Sequence, residues 1–187
     1  MIKEILMKYP ILTLDYLEKN KDDIFRIIPE LKDEENFDQK SSWHIYDVWK
    51  HTEVALTNSN MDFEERMALL LHDIGKPHCF QEDGEIRHFK GHAQKSAEIS
   101  KDILKRLLSD ERQINRIIFL IENHSTVINM DNVNEGNMSL YRKLLNIQYC
   151  DTKAYNPEKT EKVFKRLDEI NGKLSKMEKE KNDIREI

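Results

Sequence analysis

Four of the seven histidines, His51, His72, His92 and His124, and two aspartates, Asp73 and Asp151, share an awkward placement on or at the edge of inward helical stripes. Groups of this kind taken out of water need compensation. Singly, each has an ordinary explanation: a His bonded to backbone, or an Asp that caps a helix or meets an Arg. Together they offer six nitrogen and oxygen donors from separate helices, the material from which helical bundles build metal sites. Asp73 is the sharpest case. It ends the apolar run MALLLHDI, where the helix dipole is negative and a buried carboxylate is opposed twice over. A bound cation would resolve both conflicts.

The remaining polar candidates rank lower. His44 and His51 share a stripe but stand seven residues apart, about 10 Å along a helix axis, so they cannot both ligate one ion. His51 is the better ligand, and His44 a structural or substrate-facing neighbour. Lys76 follows Asp73 by three residues and can offer its ammonium to a phosphate oxygen, or simply offset the helix dipole. His78 and His88 fall on a hairpin and read as structural. Cys79 and Cys150 read as small core residues rather than nucleophiles.

The elements that must position these groups are mostly helices. Proline and glycine are scarce and apolar residues recur at helical spacing, so an all-α bundle is expected. A helix from Trp43 to Ser59 carries His44, Val48, His51 and Ala55. A second, Asp62 to Ile74, is apolar nearly all round, marks the centre of the fold, and stops at Gly75 with Pro77 beyond. Residues 78–89 contain Asp83-Gly84 between short mixed runs and predict one small β-hairpin. Helices then run from His92 to Leu108, from Asp110 to Asn123 with His124 continuing its stripe, and from Met138 to Asp151.

At the ends, residues 1–42 form a helical cap whose acidic stretch KDEENFDQK reads as a solvated loop. Residues 43–157 form the main domain. Residues 158–187 form a charged helix in which Val163, Leu167, Ile170, Leu174, Met177 and Ile184 alternate by three and four. It packs along the bundle and frays at its end, or else forms the seam of a homodimer.

At 187 residues the chain fits one domain or one domain plus an extension, and a large second enzyme domain is excluded. A net charge of −5 argues against broad attraction to nucleic acid or membrane, so a phosphate-bearing ligand needs a local site. Two cysteines make no disulfide framework. No apolar run reaches membrane-spanning length, and MIKEILMKYP is too charged for a signal peptide. A cytoplasmic protein is expected.

His51, the His72-Asp73 doublet and Asp151, in that order and spacing, resemble the HD-domain metal-dependent phosphohydrolase superfamily, and LLLHDIGKP resembles its HDIG group. The blocks HIYDVWKHT, HDIGKP, HFKGHAQKSAEI and LIENH are similar to the HD region behind the nucleotidyltransferase domain of bacterial CCA-adding and poly(A) polymerase-like enzymes. The likeness runs from about Trp43 to Pro157. No segment before residue 43 is long enough for a nucleotidyltransferase domain, so CCA addition is not expected, and a free-standing HD domain is.

The resemblance implies one divalent metal on His51, His72, Asp73 and Asp151, and a second ion with His92 and His124, bridged by Asp73. Mixed imidazole and carboxylate donors suit Fe, Mn, Ni, Co or Zn better than Mg. The implied activity is hydrolysis of a phosphate ester of a nucleotide, cyclic nucleotide or nucleic-acid end, RNA ends included, by metal-activated water. Asp73, Lys76, His92 and His124 are the candidate catalytic residues. The alternatives are a one-metal nucleotide monophosphatase and a non-catalytic nucleotide- or RNA-binding module.

Overall fold

The computed structural model describes residues 1–58 and 60–185, with side chains as far as residue 180, and the periodic segments in it form helices. The N-terminal segment contributes α1 (Ile2–Leu6), α2 (Leu14–Ile27) and a 3-10 turn over Pro29–Glu34. Helix α3 (Val48–Leu56) starts at Asp47, whose carboxylate accepts the Lys50 N–H at 2.7 Å. Helix α4 (Phe63–Leu71) opens with a reciprocal capping box between Asp62 and Glu65. A short helix α5 (Lys76–Cys79) leads to the antiparallel pair β1 (Gln81–Asp83) and β2 (Ile86–His88). Then come α6 (His92–Leu107), α7 (Glu111–Asn123), α8 (Met138–Lys153) and α9 (Glu161–Arg185).

Helix α4 is the centre, as its composition predicts: all nine of its residues are buried. Burial on every side forces its polar members into partnerships. Arg66 donates to the carbonyls of Leu6, Tyr9 and Pro10, which ties the N-terminal segment to the core. Glu64 accepts from Arg116 on α7 and Lys143 on α8, so the same helix links three others. The result is an all-α bundle with one small hairpin.

Several boundaries differ from the sequence reading. The third helix begins at Val48 rather than Trp43, because the preceding carbonyls are engaged elsewhere: Asn156 N–H donates to Trp43 O at 2.8 Å, Asn156 Nδ2 to Ser42 O, and Gln39 Nε2 to Tyr46 O. Its expected end, Ser59, lies outside the described residues. The acidic stretch 32–40 is only partly solvated, since Glu34 and Gln39 are buried. Gly75 is not a left-handed helix stop: its φ is −80°, and Pro77 sits in the first turn of α5. The glycine is required by proximity instead. A Cβ there would lie 2.6 Å from Ser96 N and 2.7 Å from His92 O.

His78 therefore lies on α5 rather than on the hairpin, with Nε2 3.5 Å from Asp33. The hairpin turns on Gly84-Glu85, with Gly84 at φ +60°, one residue later than the Asp83-Gly84 pair suggests. It is held by Arg87, whose guanidinium lies 4.7 Å from both the Phe37 and Phe80 rings. Helix α9 lies along α8 with Leu167, Ile170 and Leu174 buried, and Arg142 joins it through Glu178, Asn171 and Ser175. Ile184 falls outside the described side chains.

Candidate metal centre

Five elements deliver the six side chains. Helix α3 presents His51, the turn after α4 presents His72 and Asp73, the first residue of α6 is His92, the residue closing α7 is His124, and α8 presents Asp151. The tight turn after α4, closed by Ile74 N–H to Leu71 O and Lys76 N–H to Asp73 O, aims adjacent residues into one space. Gly75 lets the start of α6 come close enough to bring His92 in.

Every imidazole is oriented the same way. His51 Nδ1 lies 3.2 Å from Ala154 O, His72 Nδ1 2.7 Å from Leu69 O, His92 Nδ1 2.9 Å from Phe89 O, and His124 Nδ1 2.7 Å from Ile121 O. A carbonyl only accepts, so each Nδ1 carries a proton and each ring turns its Nε2 inward, where its lone pair can meet a cation. These lone pairs converge on acceptors. His51 Nε2 is 2.8 Å from Asp151 Oδ1, and His72 Nε2 is 3.4 Å from that oxygen and 3.2 Å from Asp73 Oδ2. On the other side His92 Nε2 is 3.5 Å and His124 Nε2 3.8 Å from Asp73 Oδ1, and the two nitrogens are 3.1 Å apart.

The donors fall into two groups of metal-binding geometry, His51-His72-Asp151 and His72-Asp73-His124, with the two oxygens of Asp73 facing opposite lobes. With every ring neutral, the buried acceptors face one another without hydrogens between them and repel, and without a cation the two carboxylates favour a proton on His72 instead. His72 Nε2 and Asp73 Oδ1 have no hydrogen-bond partner among the described residues. Cations placed among them remove the conflict, so the residues fit a divalent metal. His92 is the open member, with its side chain 18% exposed where the other five are at 5% or less.

The electrostatics follow from burial and two negative charges. Burial pushes the Asp73 carboxyl up, but the charges of His72 and Lys76 outweigh it and hold it well below the usual range. Asp151 is likewise raised by burial and lowered further by His51 and His72. Burial would pull His72 down, yet the two carboxylates raise it well above an ordinary imidazole. With that charge in place, burial and the His72 and His92 charges take His124 down to about 3. Lys76 is drawn inward rather than projecting over the centre: its ammonium is buried, 2.6 Å from Asp73 Oδ2 and 2.7 Å from Gln39 Oε1.

Three neighbours of the centre escaped the sequence reading. The Tyr155 ring stacks on His51 at 5.3 Å, and its hydroxyl donates to Asp151 Oδ2 at 3.1 Å, which leaves Oδ1 for the two imidazoles. A tyrosine four residues after Asp151 is the available signal. Gln39 and the buried Glu34 sit in a stretch whose charge density hid them. His44 is not on α3 but packs edge-on against His51 and Tyr155, and burial lowers it to about 2, so it is a neutral wall. His88 is exposed on β2. Cys150 is buried, and burial raises the Cys79 thiol, which suits neither to nucleophilic attack.

The profile of the HD domain family matches residues 44–178. The chain is 32% identical over 111 residues to an A-adding tRNA nucleotidyltransferase of Deinococcus radiodurans, and 31% identical over 112 residues to a CC-adding tRNA nucleotidyltransferase of Thermus thermophilus. Each alignment covers 56% of this chain and 25% of the relative, so the chain spans about a quarter of the length of the curated relatives it matches. No solved structure matches the chain.

Proposed function

The chain belongs to the HD domain family, and on that basis we propose that it is a metal-dependent phosphohydrolase acting on a phosphate ester of a nucleotide, cyclic nucleotide or nucleic-acid end. One observation carries this reading: four Nε2 lone pairs and two carboxylates converge from five elements with their outer nitrogens already tied to backbone carbonyls. The names of the relatives refer to tRNA, which favours an RNA end among the three substrate types.

His51, His72, Asp151 and Asp73 would hold one divalent ion, and Asp73, His92 and His124 a second, of a type such as Fe, Mn, Ni, Co or Zn. When bound, such ions supply a water acidified toward neutrality and positive charge for the oxygens on phosphorus. The chain does the rest. Asp73 and Asp151 are kept ionised, the backbone carbonyls fix the imidazole tautomers, and Tyr155 fixes the rotation of the Asp151 carboxylate. Lys76 holds Asp73 Oδ2 and so sets the face the carboxylate turns to each lobe. His92, the exposed member, is the one placed to meet substrate.

The test is an assay of protein purified from metal-supplemented cells on bis-p-nitrophenyl phosphate and p-nitrophenyl phosphate with several divalent ions. Hydrolysis of the diester supports the two-metal reading, and hydrolysis of the monoester alone supports a one-metal phosphatase. Bound metal with no turnover of either ester or of a nucleotide panel leaves a binding module, and the hydrolase reading falls.

A further inference from the structure

Beside the centre, between the end of α8 and the first turns of α9, lies a cavity of about 140 Å³. Asp151, His124, Thr152 and Tyr155 line it, with Leu167 and Arg166 contributed by α9. Among the described residues the charged ones lining it are Asp151 and Arg166. Asp151 faces the centre, with Oδ1 beside His51 and His72 and Oδ2 held by Tyr155. The Arg166 side chain is exposed and has no hydrogen bond or ion pair among the described residues. The Arg112 side chain on α7 is likewise without one but does not line the cavity, whereas Arg87 meets Glu82, Arg106 meets Glu30, Arg116 meets Glu64 and Arg142 meets Glu178. Lys76 is no rival for this role, since Asp73 and Gln39 hold its ammonium.

An uncommitted guanidinium over a cavity that adjoins candidate metal ligands is suited to a bidentate anion. The size limits what enters. Pockets that enclose drug-sized ligands run to about 300–1,000 Å³, so this one admits a phosphate-sized group and not a nucleoside. We propose that the cavity is an anion subsite that takes a second phosphate of the substrate, neighbouring the scissile one, with Arg166 as the recognising cation and the base left outside. The inference rests on the hydrolase reading for the scissile phosphate, and it makes α9 part of the site rather than a support for it.

Calorimetry on the metal-loaded protein, with metal per chain measured before and after, tests binding without turnover. The ligands are methylenediphosphonate, which carries two neighbouring phosphonates, and inorganic phosphate. The wild type is expected to prefer the diphosphonate. Arg166→Ala is expected to lose at least about tenfold of that preference with metal content unchanged, and Arg166→Lys to lose less, because charge remains without the fork. In kinetics, the ratio of kcat/KM for adenosine 5′-diphosphate to that for adenosine 5′-monophosphate should fall at least about tenfold in Arg166→Ala, and equally for the uridine pair.

A preference that survives Arg166→Ala overturns the subsite, and a ratio that depends on the base overturns the external base. If the wild type hydrolyses neither ester yet shows the Arg166-dependent preference, the subsite stands and the hydrolase reading falls. If esters are hydrolysed and Arg166→Ala matches the wild type in both measurements, the hydrolase reading stands and the subsite falls.

Discussion

A carbonyl on the outer nitrogen of each imidazole decides what the inner nitrogen can do, and all four histidines of the centre are set in that way. Tyr155 does the same for Asp151, so Tyr155→Phe should weaken metal affinity about tenfold while the fold persists, as read by metal titration and circular dichroism. Unchanged affinity would mean that the hydroxyl does not set the carboxylate. Lys76 is the buried counter-charge of Asp73, and Lys76→Met leaves a carboxylate uncompensated. The metal-free variant should lose about 3 kcal/mol in denaturant unfolding, and a loss within error of zero would show the pair to be dispensable.

At this scale the sequence was most legible where polarity clashed with position. Asp73 at the end of an apolar run declared itself, as did His51 and His124 on apolar stripes. Gln39, Glu34 and Tyr155 did not, because nothing in their local pattern distinguishes a buried polar residue from a solvated one. Their burial is set by segments distant in the chain, such as the Asn156 contacts that close the loop over residues 42–43.

Among the elements, the turn from α4 through Gly75 to the start of α6 controls how far the lobes of the centre stand apart. Gly75→Ala must push the backbone of α6 away, at a cost of about 3 kcal/mol and with loss of affinity for the ion on the His92 side. Thermal unfolding and metal titration read the two effects, and a variant as stable as the wild type would refute the close contact. The 3-10 turn over Pro29–Glu34 carries a second prediction. Burial, reinforced by the charge of Asp73, raises Glu34 well above an ordinary carboxyl, and both of its oxygens lack partners among the described residues.

The folded state therefore keeps the Glu34 proton where the unfolded chain has lost it. Its contribution is complete below the ordinary value of 4.5 and is lost as pH rises through the folded-state value. The stability of wild type relative to Glu34→Gln should fall from pH 5 to pH 8 in denaturant titrations, and parallel profiles would contradict a buried neutral acid. Helix positions were readable from spacing, but helix ends were not. The onset at Val48, the short α5 and the turn at Gly84-Glu85 depend on which partner takes each backbone group, and spacing does not encode that.

For the whole molecule, the apolar seam of α9 is covered by α8, with Leu167, Ile170 and Leu174 buried within one chain. That leaves little seam for a second copy, so sedimentation should give a monomer near 22.3 kDa, and a concentration-independent dimer would contradict it. Among the described residues no helix is long and apolar enough to cross a membrane. The all-α bundle and the ordered His and Asp blocks were visible in the sequence, whereas the cavity beside Arg166 arises only once α9 lies on α8.

The most direct test counts transition-metal ions per chain in dialysed wild type and in Asp73→Ala by elemental mass spectrometry, with diesterase activity read on the same samples. The account predicts two ions and turnover in the wild type, and the loss of both metal and turnover in the variant. A wild type that retains no transition metal after loading, or an Asp73→Ala variant that still hydrolyses the diester, would contradict it.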